Sequence, residues 1–285
     1  MADRIRAACF GAPGSHTDEA MRAWFGAQPV RAEYMDTFED VVRAVAERWA
    51  ERGIVPIENS STGGITEVYD LIRAYDCAVT GEKCISIRHH LMARPGTRRE
   101  EIRAVCSHPQ GLAQCRSFLA AHREWERIPC LSTSESAARA AETPGLAAIA
   151  GSLAAEIYGL EILEEDIQEN AMNCTRFFII APESVPDEKA DKITLVLTVP
   201  HEPGALYHVL GCFFYGGMNM THLESRPNGG APFDYCFHID VMGRLDDPAN
   251  AQTLARLASM CTGFRILGNY AADRTFPSMS GIERK

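Results

Sequence analysis

The chain has 285 residues, 46% hydrophobic and 23% charged, which is enough for two or three compact units and is ordinary globular usage. A formal net charge of −10 argues against a nucleic-acid or anionic-membrane surface, either of which needs clustered Lys and Arg. The N-terminal MADRIRAACF lacks the apolar core of a secretion signal and no apolar run reaches the ~18 residues of a membrane span, so a cytoplasmic chain is expected.

In chain order, IRAACF (5–10) reads as a strand, HTDEAMRAWFG (16–26) as a helix and FEDVVRAVAERWA (38–50) as a second amphipathic helix. RGIVPIE is the next strand, ITEVYDLIRAY (65–75) a helix, and AVTGEKCISIRHHLMAR (78–94) extended, alternating sequence. IRAVCS leads into a helix at 109–122, IPCLST into one near 135–142, and LAAIA into GSLAAEIYGL (151–160). This recurrence of strand, polar turn and helix predicts α/β architecture with largely parallel sheets.

Two prolines and five charges in APESVPDEKAD (181–191) mark a boundary. Beyond it, KITLVLTV (192–199) alternates as a half-buried strand, PGALYHVLGCFF is a helix, and MNMTHLES and FDYCFHIDVM pair across RPNGGAP. DPANAQTLARLASMC is a helix and FRILGNY a last strand. The order βαββαβ is ferredoxin-like. Residues 272–285 read as a flexible tail.

One device recurs ahead of the helices. Ser15 begins S-x-x-D, Ser107 begins S-x-x-Q, Ser132 begins S-x-x-E, and Ser60-Ser61-Thr62-Gly63-Gly64 precedes the helix at 65–75. Singly, each is an ordinary helix cap. Together they place hydroxyl-rich helix starts at strand carboxyl ends, where open α/β sheets bind ligands and where free N–H groups hold carboxylates without Lys or Arg. GAPGSH lacks the Lys of a phosphate-binding loop, which removes the nucleotide reading. The ten cysteines are scattered with no C-x-x-C pair, and His89-His90 lacks a second ligand cluster, so reduced thiols, no metal and no cofactor are expected.

GAPGSHTDEA, GIVPIENSSTGGITEVYDLI, SHPQGLAQC and NCTRFFII occur in the order seen in prephenate dehydratases, and the chain resembles that family over about residues 5–181. Residues 192–270, with PGALYHVL and LESRP, resemble the ACT regulatory domain that follows. The resemblance implies a bilobed, periplasmic-binding-protein-like catalytic domain at 1–185, with a lobe boundary near 80 and a return to the first lobe after about 165, then an ACT domain at 190–271. No helical segment precedes Arg4, so no fused chorismate mutase is expected. His16 is a departure, since relatives commonly carry an aromatic residue after GS.

The implied reaction is prephenate to phenylpyruvate with loss of carbon dioxide and water. By motif, Thr175, Asn59, Ser107 and Gln114 are the catalytic set, with Thr175 donating to the leaving hydroxyl and the others holding carboxylate or hydroxyl oxygens. Arg176, Ser60, Ser15 and His108 are further substrate-binding candidates. Arg176 is either a carboxylate clamp or an inter-lobe salt bridge; His108 is either a second proton donor or a solvated residue in a first helical turn. The resemblance also implies L-phenylalanine held by Pro203, Gly204, Ala205, Leu206, Glu224, Ser225, Arg226 and Pro227, inhibition by it, and a homodimer or homotetramer through the ACT domains. Arogenate is the alternative substrate, and a non-catalytic amino-acid or keto-acid binding module the alternative function.

Overall fold

The computed structural model describes residues 4–228 and 234–275. In chain order these form β1 (Ile5–Phe10), α1 (His16–Phe25), β2 (Val30–Met35), α2 (Phe38–Ala46), β3 (Arg52–Asn59), β4 (Gly63–Gly64), α3 (Thr66–Ala74), β5 (Ala78–Ser86) and β6 (His90–Ala93). There follow β7 (Ala104–Ser107), α4 (Pro109–Gln114), α5 (Arg116–Ala120), β8 (Glu126–Pro129), α6 (Thr133–Glu142), β9 (Leu146–Ala150), α7 (Ser152–Tyr158), β10 (Glu161–Glu164) and β11 (Cys174–Ala181). The last elements are β12 (Lys192–Thr198), α8 (Ala205–Tyr215), β13 (Met220–Pro227), β14 (Tyr235–Met242), α9 (Pro248–Met260) and β15 (Gly263–Tyr270). The chain divides into two compact units, one holding the residues up to Val41, Ile54–Gly63 and Cys84–Phe177, the other Val42–Gly53, Gly64–Lys83 and the residues from Phe178 onward.

Among the described residues the strands form sheets in the orders β2-β1-β3-β11-β5, with β4 on β3, then β10-β6-β9-β7-β8, and finally β13-β14-β12-β15. The first two are the sheets of a periplasmic-binding-protein-like α/β region and the third is a ferredoxin-like ACT sheet. In the first, β1 runs parallel to β2 with Ile5 opposite Val30. Ala7, Ala8 and Cys9 are fully buried because both faces of β1 are covered, which is why its sequence does not alternate. The second sheet is mixed: β7 is parallel to β8 and β9, whereas β6 is antiparallel to β9 and β10. Its centre is β9, every residue of which is buried: Ala148 and Ala150 face a cluster with Cys106, Ala137 and Leu160, and Ala147 and Ile149 face one with Val105, Leu119 and Trp125. Burial of one such Ile stabilises by about 1.5–3 kcal/mol.

The helix expected at 109–122 is two, α4 and α5, broken at Cys115, whose N–H is shared between the carbonyls of Gly111 and Leu112. The helix expected to reach residue 50 ends at Ala46, and Arg48 takes a positive φ of 60° in the turn that follows.

In the second unit β12 pairs antiparallel with β14 and β15, and β13 with β14. Ile193, Leu195 and Leu197 meet Val209, Cys212, Phe213, Leu254 and Leu257 of α8 and α9. β12 is not half-buried as expected. Its other face is also covered: Thr194 bonds Asp240 and Tyr270 at 2.7 Å each, and Lys192 reaches the buried Glu82 at 2.7 Å. The tail expected from 272 remains tied down through Thr275: Ala272 N–H donates to Asp191 and Asp273 N–H to Glu82, while residues 276–285 lie outside the described residues. Among the described residues no helix is long and apolar enough to cross a membrane.

Candidate active site

β3 ends at Asn59, and the chain then folds back on that residue's side chain. Asn59 Oδ1 accepts from the N–H groups of Ser61 (2.9 Å) and Thr62 (3.1 Å), the Asx arrangement that turns a chain without regular structure. The remaining end of the amide, Nδ2, donates to Thr175 Oγ1 at 2.9 Å. Both residues are more than nine-tenths buried. Thr175 therefore has its oxygen filled from behind while its O–H remains a donor for something else.

The loop is fastened on its other side by Asn173, 2% exposed, whose Oδ1 accepts from Ser60 Oγ (3.3 Å) and Ser61 Oγ (3.0 Å). Ser60 Oγ in turn accepts from the N–H of Cys174 at 3.0 Å. Ser60 and its neighbours thus join the β3 loop to the start of β11. They do not cap α3, whose N-cap is Ile65 with no side-chain bond. Asn173 is not among the residues that the motif singles out, although it stands two places before Thr175 in it.

Arg176 pairs with Glu58 at 3.1 Å. The two sit on β11 and β3, neighbours in one sheet, so the pair is within a sheet and not between lobes. Its members are one residue removed from Asn59 and Thr175 on each strand, and successive strand side chains point to opposite faces of the sheet.

Ser107 ends β7, fully buried, with Oγ donating to the carbonyl of Ile149 at 2.7 Å. It is not the cap of α4. That cap is His108, whose Nδ1 accepts from Gln110 N–H at 3.2 Å. Close approach explains the exchange: a Cβ on Gly111 would lie 2.6 Å from Ser107 Oγ, so the first turn of α4 sits directly over that hydroxyl. At the far end of α4, Gln114 Oε1 lies 2.7 Å from Nε2 of His89. His89 is 2% exposed, and its pKa is lowered to about 4, chiefly by burial and then by the nearby His16. Ser15 and Ser132 are true caps, receiving the N–H groups of Asp18 (3.2 Å) and Glu135 (3.0 Å).

In the second unit, Pro203, Ala205 and Leu206 line a cavity of about 360 Å³ with Val199, Glu202, Asp234, Tyr235 and Phe237. Gly204 stands between them as the N-cap of α8 at φ 84°, a left-handed conformation that favours glycine. Glu224, Ser225, Arg226 and Pro227 are the end of β13, opposite β14, and are not among the residues lining the cavity. Arg226 instead pairs with Asp70 of α3 at 2.6 Å.

The first unit of this α/β fold thus holds one hydroxyl backed by an amide, a second amide at a helix end, and an ion pair on neighbouring strand residues. Residues 7–185 match the family model described as prephenate dehydratase. The chain is 34% identical to the bifunctional chorismate mutase/prephenate dehydratase of Stutzerimonas stutzeri over 93% of its own length and 73% of that protein's. It is also 34% identical to arogenate dehydratase/prephenate dehydratase 2, chloroplastic, of Arabidopsis thaliana, over 95% and 74% of the two chains. Among solved structures, prephenate dehydratase in complex with L-Phe from Arthrobacter aurescens superposes with a TM-score of 0.85 at 33% identity, covering 94% of this chain and 90% of that one. A structure described as GqqA, a novel type of quorum quenching acylase, gives the same TM-score of 0.85 at 30% identity, covering 94% and 98%. The chain belongs to the prephenate dehydratase family.

Proposed function

We propose that this chain converts prephenate to phenylpyruvate, carbon dioxide and water, and that L-phenylalanine inhibits it through the cavity at Pro203–Leu206. Loss of carbon dioxide and hydroxide makes the ring aromatic, which supplies the driving force. The task left to the protein is to help hydroxide leave. A Thr hydroxyl is too weak an acid to give up its proton in the ground state, so Thr175 donates a hydrogen bond that strengthens as charge develops on the leaving oxygen. The observation carrying this reading is the 2.9 Å bond from Asn59 to Thr175 Oγ1, which orients the hydroxyl hydrogen away from Asn59. Asn59 acts here through Thr175, while Gln114 and Arg176 are read as partners of substrate oxygens.

An acylase-type reaction needs a nucleophile activated by a base. Thr175 Oγ1 accepts from the Asn59 amide and the Ser107 hydroxyl donates to the Ile149 carbonyl, and neither partner is a base that would activate the hydroxyl for attack. Incubating the purified protein with prephenate and with arogenate, and measuring phenylpyruvate and phenylalanine, tests the proposal. Turnover of arogenate alone would replace the substrate; turnover of neither would remove the dehydratase activity.

The same reading divides the chain into a catalytic region at 1–185, crossing between lobes near 80 and returning after about 165, and an ACT domain at 190–271. Strand membership supports it, since β1–β5 and β11 share one sheet, β6–β10 another and β12–β15 the third. Assembly as a homodimer or homotetramer through the ACT domains, in the cytoplasm, belongs to this proposal. Tyr207, Phe214 and Tyr215 of α8, each more than 70% exposed, support the assembly.

A further inference from the structure

In the sequence His89 reads only as half of a histidine pair with no metal partners, yet the fold buries it against Gln114. Its backbone is held on both sides, the N–H donating to Gln168 Oε1 at 2.8 Å and the carbonyl accepting from Ile167 N–H at 2.9 Å. The backbone carbonyl of Gln114 accepts from Glu169 N–H at 2.8 Å. The backbones that carry the ring and the amide are therefore both bonded to the segment 167–169, beside the 2.7 Å side-chain contact.

Two proton arrangements fit that contact. In one, Nδ1 carries the proton and Nε2 accepts from the Gln114 amide nitrogen, turning Gln114 Oε1 outward. In the other, Nε2–H donates to Gln114 Oε1 and the amide NH₂ turns outward. Nδ1 finds no hydrogen-bond partner among the described residues. The first arrangement would bury an orphaned N–H donor, which native proteins rarely tolerate, whereas the second leaves only a bare lone pair. The second also presents donors, not an acceptor, to a substrate carrying two carboxylates. Protonating both nitrogens would restore the orphan donor and add a buried charge next to the His16 ring, whose centroid is 5.9 Å away.

We infer that His89 is a positioning residue of the dehydratase reaction: its Nε2–H holds Gln114 Oε1, so that the Gln114 amide nitrogen faces the substrate. The inference rests on the reading of Gln114 as a substrate partner, and its test separates the two. In the full-length protein, nitrogen NMR of the histidine rings is expected to show His89 as the Nε2–H tautomer. His89→Leu, which removes the donor at similar volume, is expected to lower kcat/KM for prephenate about 10- to 100-fold. His89→Gln, which returns an N–H donor near the Nε2 position, should recover most of it. In a Gln114→Leu background His89→Leu should cost nothing further, because its effect passes through Gln114. An Nδ1–H tautomer overturns the inference, as does a His89→Leu loss that persists undiminished without Gln114. A wild-type protein with the Nε2–H tautomer but no phenylpyruvate formation upholds the hydrogen bond and overturns the reaction assigned to the site.

Discussion

Asn59 donates its side-chain amide to Thr175 Oγ1 at 2.9 Å while its own oxygen is occupied by the loop that follows. Each hydrogen-bonding end of Asn59 thus serves to place the Thr175 hydroxyl. Thr175→Ala is expected to fold and to lose roughly 10²–10⁴ in kcat, the usual cost of deleting a positioned proton donor. Thr175→Ser retains the hydroxyl and the bond from Asn59, and should retain much of the rate. Steady-state kinetics with prephenate decide the matter; an Ala variant as fast as wild type would end the proposed role.

Ser107 separates stability from chemistry. Its Oγ is fully buried and donates to the Ile149 carbonyl, so Ser107→Ala leaves a buried acceptor unsatisfied and should cost about 1–3 kcal/mol in denaturant unfolding. The hydroxyl still has lone pairs to offer but no second proton. A rise in KM beyond the stability loss would show that substrate also reaches Ser107, whereas unchanged kinetics would restrict it to holding β7 against β9.

Acid should weaken both units through buried histidines. His89 and His238 each have a pKa lowered from 6.5 to about 4, in both cases mainly by burial. Between those values the unfolded chain binds more protons than the folded one, so stability rises with pH across the window and is lost as pH falls from about 6.5 toward 4. Each such histidine contributes a slope of up to about 1.4 kcal/mol per pH unit. Chemical denaturation at pH 7 and pH 5 measures this. His238→Phe should flatten the dependence, since it keeps a ring near Tyr69, whose centroid is 4.8 Å from that of His238, and removes the titrating group.

Much of the fold was legible because strong periodicity and polar turns coincide, as in IRAACF or the βαββαβ order of the last domain. What escaped has physical causes. β2, VRAEYM, is an edge strand carrying Arg31 and Glu33, which pair at 2.6 Å, and such charge on an edge hides the strand pattern. β10 is another edge strand, acidic at both ends. The motif residues Asn59, Thr175 and Gln114 were readable as a set, but their partners were not. His89 meets Gln114 across 25 residues, and Asn173 holds Ser60, next to Asn59, across 113, separations that no local pattern encodes. Capping was read too freely for the same reason. Ser107 has the spacing of a cap, but burial against Ile149 takes its hydroxyl elsewhere.

The start of α8 carries the partial positive charge of a helix N-terminus, which suits a carboxylate, while Glu202 and Asp234 line the same cavity and suit an ammonium group. Val199, Tyr235 and Phe237 supply an apolar wall for an aromatic ring. L-phenylalanine carries these three features together, and calorimetry should detect its binding to the full-length protein. Gly204→Val is expected to abolish that binding, because its φ of 84° is strained for a β-branched residue and relieving that strain shifts the start of α8. Arg226→Ala should behave differently. It removes the pair with Asp70 without touching the cavity lining, so the affinity for phenylalanine should persist while its effect on turnover diminishes. By linkage, prephenate must weaken phenylalanine binding by the same factor as phenylalanine weakens prephenate binding, a coupling of typically ~1–3 kcal/mol. Phenylalanine affinity that is unaltered in Gly204→Val would move the effector site away from α8.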